Sequence, residues 1–123
     1  MQLNSTLATW SRTAVLVLAA IWLASQASAM SLRELQTLEM SEQLGENYVY
    51  YYLVGVMEGA LEAHQQDVRN GAKAVICLKG RRLEPRMARS LFDTERQRNA
   101  GMYEADMPVQ LVMTNALANF YPC

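Results

Sequence analysis

Apolar residues recur every three or four positions along most of this chain, and the recurrence breaks at a few points marked by glycine or proline. Leu32, Leu35 and Leu38 share one helical face, opened by Ser31 and Glu34, a serine followed three residues later by glutamate as in a capping box. Gly45 is the expected end of this first helix. From Glu46 to about Arg69 the spacing continues through Val49, Tyr52, Leu53, Val56, Ala60 and Ala63. Residues 48–54 have a strand-like composition, but the three-and-four periodicity runs too far for a strand and predicts one long helix, stopped by Asn70-Gly71. Gly55 and Gly59 lie one turn apart inside it. Each costs a helix about 1 kcal/mol relative to alanine, so a close helix–helix approach is the expected compensation.

Beyond the long helix, residues 72–82 read as an irregular connector with a buried apolar centre at 74–78, which holds Cys77, and an exposed turn at 79–82. The third helix is expected to start at Pro85, whose missing N–H costs nothing in a first turn. Leu83, Met87, Ala88, Leu91 and Phe92 make its inner stripe, and Arg82, Arg86, Arg89, Asp93 and Arg96 its outer face. Asn99 and Gly101 stop it. A flexible acidic link, residues 100–106, leads to a fourth helix capped by Asp106 or Met107, with Pro108 in its first turn. Val109, Val112, Met113, Ala116, Leu117 and Phe120 form its core face. The expected fold is all-α, a small bundle of about four helices.

The first 29 residues stand apart from this pattern. Arg12 precedes the apolar run 13–24, and Ala27-Ser28-Ala29 follows, which is the layout of a secretory signal peptide cleaved after Ala29. Twelve helical residues rise about 18 Å, short of the roughly 30 Å hydrocarbon core, so no membrane span is expected after cleavage. The composition therefore belongs to two objects: residues 1–29 as leader and 30–123 as a single helical domain. Trp10 and Trp22, the only tryptophans, fall in the leader. The whole chain carries a formal charge of −1. That near-balance hides an uneven distribution, acidic over 30–67, basic over 68–98 and acidic again to the end.

Export makes oxidation of the two cysteines the expected outcome, and two cysteines allow one intramolecular pairing, Cys77 with Cys123. Closing that loop of about 47 residues should stabilise the fold by about 4 kcal/mol in the chain-entropy model. An intermolecular disulfide and a reactive thiol pair are the alternatives. Candidate chemistry is sparse. The lone histidine, His64, has Glu62 and Asp67 at i−2 and i+3, without the face of an H-E-x-x-H site, and reads as a solvated helix residue. No nucleophile–base set is visible, so an enzyme is not expected, and nothing calls for a metal or another cofactor. Glu58 and Glu62, at i and i+4, read as an exposed acidic face. The arginine stripe superficially suits nucleic acid, but export argues against that partner, and arginine is equally suited to gripping carboxylates at a protein interface.

Tyr52-x-x-Gly55 followed by Gly59, then Cys77-Leu78, a proline-opened helix and the terminal Ala116-Leu-x-x-x-Tyr-Pro-Cys123 together resemble the Rap/Tai family of type VI secretion immunity proteins. The resemblance covers about residues 45–123. It departs from the family at Lys79, where proline usually follows Cys-Leu, and over 99–107, longer than the usual turn between the last two helices. What it implies is a non-enzymatic periplasmic protein, often a homodimer, with a disulfide from the mid-chain Cys-Leu to the terminal Pro-Cys. Such a protein binds a peptidoglycan amidase effector and occludes its active-site cleft. On that implication Arg82, Arg86, Arg89 and Arg96, with Glu104 and Asp106, are the expected contact surface. The alternative is a periplasmic stress or chaperone-like helical protein without a toxin partner, in which the eight methionines supply adaptable apolar surface.

Overall fold

The computed structural model describes residues 29–41 and 43–123, and the expected leader, apart from Ala29, lies outside them. Among the described residues four α-helices follow one another: α1 (Leu32–Ser41), α2 (Gly45–Arg69), α3 (Met87–Arg98) and α4 (Val109–Phe120), with a 3-10 turn at Ala100–Met102. The architecture is the expected all-α bundle. None of these helices is long and apolar enough to cross a membrane.

The start of α1 is the capping box read from the sequence. The Ser31 N–H donates to Glu34 Oε2 at 2.7 Å and the Glu34 N–H donates to Ser31 Oγ at 3.3 Å. The bond from the Ser31 backbone, then that from its hydroxyl, holds the Glu34 carboxyl below its ordinary range. Gly45 does not end this helix. The helix stops at Ser41, and Gly45 is instead the buried first residue of α2, pressed against the last turn of α1. A Cβ there would collide with the Leu38 carbonyl oxygen and lie 2.8 Å from that of Glu39. Glycine is required by this close approach, not by a turn.

The long second helix is confirmed through the tyrosine run, and it ends in a Schellman motif. The Ala72 N–H bonds the Asp67 carbonyl at 2.9 Å, the Gly71 N–H bonds that of Val68 at 3.0 Å, and Gly71 takes φ +98°. In the connector Ile76 is buried, but Val75 is half exposed, so the expected apolar centre is only partly sunk. Lys79 (φ 52°) and Gly80 (φ 78°) form the corner of a tight turn closed by the Arg81 N–H on the Leu78 carbonyl at 3.0 Å. The chain terminus docks alongside. The Cys77 N–H donates to the Tyr121 carbonyl at 2.7 Å, Ile76 and Pro122 form an antiparallel bridge, and Cys77 and Cys123 are joined by a disulfide with their Cα atoms 4.9 Å apart.

Pro85 and Arg86 form a turn that feeds α3 and are not its first residues. At α4 the N-cap is Pro108, in extended conformation, not Asp106 or Met107. The expected flexible link is held in place. The Leu32 N–H bonds the Met107 carbonyl at 3.0 Å, the Arg33 N–H bonds that of Ala105 at 2.9 Å, and the Val109 N–H bonds that of Met30 at 3.0 Å. The entries to α1 and α4 are thus tied together.

Helix α2 packs against all three others. Val49, Leu53, Val56 and Met57 on its inner face meet Leu32 and Leu35, Leu91 and Phe92, and Val112, Met113 and Leu117 in one core. Each such side chain, fully buried, contributes roughly 1.5–3 kcal/mol. Phe120 is the exception on the predicted α4 face: it is half buried, with the Arg98 guanidinium 5.4 Å from its ring centre.

Substituting Gly45→Ala should therefore destabilise the chain by about 1–3 kcal/mol, because backbone rather than a flexible side chain must give way. Urea unfolding followed by circular dichroism checks this, with Gly101→Ala, which meets open space, as the contrast.

Candidate functional site

Arg89 is partly exposed and ion-paired within the chain: its Nε donates to Asp93 Oδ2 and its terminal nitrogen to Glu39 Oε1, both at 2.6 Å. The Asp93 bond is the main reason the guanidinium is pushed above its ordinary range, with Glu39 adding to it. Arg89 therefore fastens α3 to α1 while its side chain still reaches the surface. Arg86 pairs with Glu84, and Asp106 pairs with Arg33 at 3.0 Å, both pairs being largely exposed. Exposed pairs of this kind are worth about 0–1 kcal/mol and yield readily to a partner. Arg82, Arg96 and Glu104 make no ion pair among the described residues. Arg96 lies 5.6 Å from the Phe92 ring centre and lines a cleft of about 490 Å³ with Arg33, Asp93 and Tyr103. Arg86 and Arg96 are about 15 Å apart along the helix axis. The predicted surface thus divides between the two ends of α3.

A second surface lies where α2 meets α4. Tyr51, Tyr52, Gly55, Val56, Gly59 and Gln110 line a groove of about 660 Å³. Tyr51 is 71% exposed, and Leu111 on α4 is 42% exposed. Helical spacing puts Glu58 and Glu62 on the solvent flank of the same α2 face, next to Tyr51 and Gly55. Burial, helped by the charge of Glu34, raises the Tyr52 hydroxyl above its usual range. The expected role of Gly55 and Gly59 in packing helices within the chain is not found. A Cβ at either position meets nothing within 4 Å. The two glycines keep the groove floor open, with no other helix among the described residues within 4 Å of where their Cβ atoms would stand.

Two polar arrangements escaped the sequence reading. His64 is not simply solvated: it is half buried, and its Nε2 accepts the Ile76 N–H at 3.2 Å, tying α2 to the connector just before Cys77. The larger arrangement centres on Glu95, which is 2% exposed. The Tyr103 hydroxyl donates to its Oε1 at 2.6 Å, Asn99 Nδ2 donates to the same oxygen at 2.9 Å, and Asn119 Nδ2 donates to Oε2 at 2.9 Å. Asn115 Nδ2 completes the set by donating to the Tyr103 oxygen at 3.1 Å. Burial alone, the largest influence, pushes this carboxyl up; the bonds from Tyr103, Asn119 and Asn99 and the charge of Arg98 outweigh it, and the net displacement is downward. Burial and then the Glu95 bond raise the Tyr103 hydroxyl. The signal was present in the spacing: Glu95 continues the stripe Ala88, Leu91, Phe92, a carboxylate where the pattern calls for an apolar residue.

Among the described residues no group of three or more His, Cys, Asp or Glu side chains is placed to hold a metal ion. The surface carries an apolar groove flanked by Glu58 and by Glu62, which is paired with Arg69, and a cleft of mixed charge. In comparisons with known proteins, no family model, no curated protein and no solved structure matches the chain.

Because both groove glycines occupy exposed helix interior with open space above them, Gly55→Ala and Gly59→Ala should each stabilise the folded chain by about 0.5–1 kcal/mol. A rise in the urea midpoint at unchanged slope is the expected reading; a fall would mean that something outside the described chain already packs there.

Proposed function

We propose that this chain is a periplasmic immunity protein of the Rap/Tai kind, which binds a type VI secretion peptidoglycan amidase effector and occludes its active-site cleft. The observation that carries the reading is where the residues of the resemblance fall. Cys77, Tyr121, Pro122 and Cys123 form one staple that rigidifies the connector and the terminus. Tyr52, Gly55 and Gly59 line the open groove, and a Cβ at either glycine would meet nothing within 4 Å among the described residues.

A rigid scaffold with an unfilled apolar groove suits an inhibitor, since preorganisation reduces the ordering cost of association. The exposed tyrosines are suited to be anchors, because residues 30–123 contain no tryptophan. Arg82, Arg96 and Glu104 then supply charge specificity around that contact, with Arg86 and Asp106 released from weak surface pairs. In this reading Arg89 stays engaged with Glu39 and Asp93. A homodimer sharing the groove is compatible with the same proposal, as is export through the leader at 1–29.

Calorimetric titration of the disulfide-bonded chain into an amidase effector, near neutral pH, tests the proposal. Tyr51→Ala should weaken binding by about 2 kcal/mol, roughly thirtyfold, and the pair Arg82→Glu and Arg96→Glu should weaken it further. The fold should survive both sets, since these side chains are exposed or line open clefts. Absence of any complex, or equal affinity across all variants, would sink the reading.

A further inference from the structure

We propose that Glu95 is an acid-sensitive latch that holds the α3–α4 connector, residues 100–107, against the bundle and releases it when the carboxylate is protonated. The inference rests on the hydrogen-bond geometry of a buried group and is independent of what partner the protein binds.

Glu95 is the one buried charged residue among those described, and every hydrogen bond it makes is accepted. Three donors from three different segments converge on its two oxygens. Asn99 comes from the end of α3, Tyr103 from the connector and Asn119 from α4. A carboxylate satisfies all three, because each oxygen has two lone pairs and neither carries a proton. A carboxylic acid holds them less well. Its proton takes the site on Oε2 that no donor uses, and the charge-assisted bonds, above all the short one from the Tyr103 hydroxyl at 2.6 Å, become weaker neutral ones. Loss falls on the connector, because Tyr103 is its half-buried side chain packed on the core, whereas Asn99 and Asn119 remain anchored on their helices.

The surroundings leave the carboxylate as the controlling charge. From α3 the charge of Arg98 favours the ionised form. From α4 the neighbours are Asn119 and, through Tyr103, Asn115. The buried residues of α2 are Gly45, Val49, Leu53, Val56 and Met57, none of them titratable. On the connector itself Glu104 and Asp106 are exposed, and the Asp106–Arg33 pair at its far end is a weak surface contact that acidification also erodes. The remaining ties are backbone bonds, Leu32 to Met107 and Arg33 to Ala105, and do not titrate. The sign follows from linkage. Glu95 is held below its ordinary range in the folded chain, so its contribution is complete above the unfolded-state value and is lost as pH falls through the folded value. Release therefore occurs on the acid side of the ordinary carboxylate range, while the disulfide and the apolar core retain the helices. What release removes is the wall that Tyr103 and Ala105 form in the cleft beside Leu32 and Arg96.

Nuclear magnetic resonance of the disulfide-bonded chain between pH 7 and pH 2, with far-ultraviolet circular dichroism on the same samples, tests the latch. Amide signals of residues 100–107 should collapse to unstructured positions over about two pH units, with the midpoint of the Glu95 carboxyl signal and before helix content falls. Tyr103→Phe, which removes one donor, should shift that midpoint to higher pH; Asn119→Ala should do the same if the first variant folds poorly. Glu95→Gln should abolish the step, and Asp106→Asn should leave it in place. A connector that keeps its signals until the helices melt, or a step that survives Glu95→Gln, would overturn the proposal.

Discussion

Everything in this bundle depends on one helix serving three neighbours. The 25 residues of α2 are about twice the length of any other helix among those described, and their inner face, from Val49 to Met57, is the surface on which α1, α3 and α4 all pack. A chain this short buries only about 60–70% of its unfolded surface, so the core admits no second layer. One long apolar stripe must therefore meet partners on several sides, and the crossing with α1 is so tight that only glycine fits at position 45. Among the described residues no helix is left to cover the opposite face of α2. Its tyrosines and glycines remain open as a direct consequence of how the core is built.

The polar cluster at Glu95 answers a different constraint. The connector between α3 and α4 has no long apolar side chain to hold it except Tyr103, so its position is fixed by hydrogen bonds instead of by burial. A buried carboxylate without a directly bonded cation costs solvation free energy, and that cost is tolerable only when every lone-pair direction in use meets a donor. Here three do, and no buried polar side-chain atom among the described residues is left unpartnered. Directional bonds specify one conformation more sharply than apolar contact does, at the expense of depending on a protonation state.

Much of the architecture was legible because it follows from local rules. The capping box at Ser31, the periodicity that overrides the strand-like tyrosine run, the stop at Asn70-Gly71 and the pairing of the two cysteines all rest on neighbours in sequence or on there being no other partner. The failures share one physical cause, dependence on contacts that exist only once the helices are packed against one another. Gly45 looked like a terminator because its true constraint, the carbonyl oxygens of Leu38 and Glu39, appears only when α2 folds back over α1. The ion pair that ties Arg89 to α1 went unseen because Glu39, fifty positions away, could not be placed opposite it. Gly55 and Gly59 were expected to be covered, since sequence reports the cost of a helical glycine but not whether this chain supplies the compensating neighbour.

The departure at Lys79 can be argued further. On the proposed Rap/Tai reading a proline is expected after Cys-Leu, and proline is confined to φ near −65°. Lys79 has φ +52°, which no proline can adopt. The chain therefore leaves the disulfide through a tight left-handed corner at Lys79-Gly80, a path a Cys-Leu-Pro sequence could not follow. That corner sets the course of Arg81, which stacks 4.8 Å from the Tyr121 ring centre, and then of Arg82 at the entry to α3. The other departure, the long segment 99–107, lies at the exit of the same helix. Both differences thus flank α3, the helix whose two ends carry the arginines not used internally.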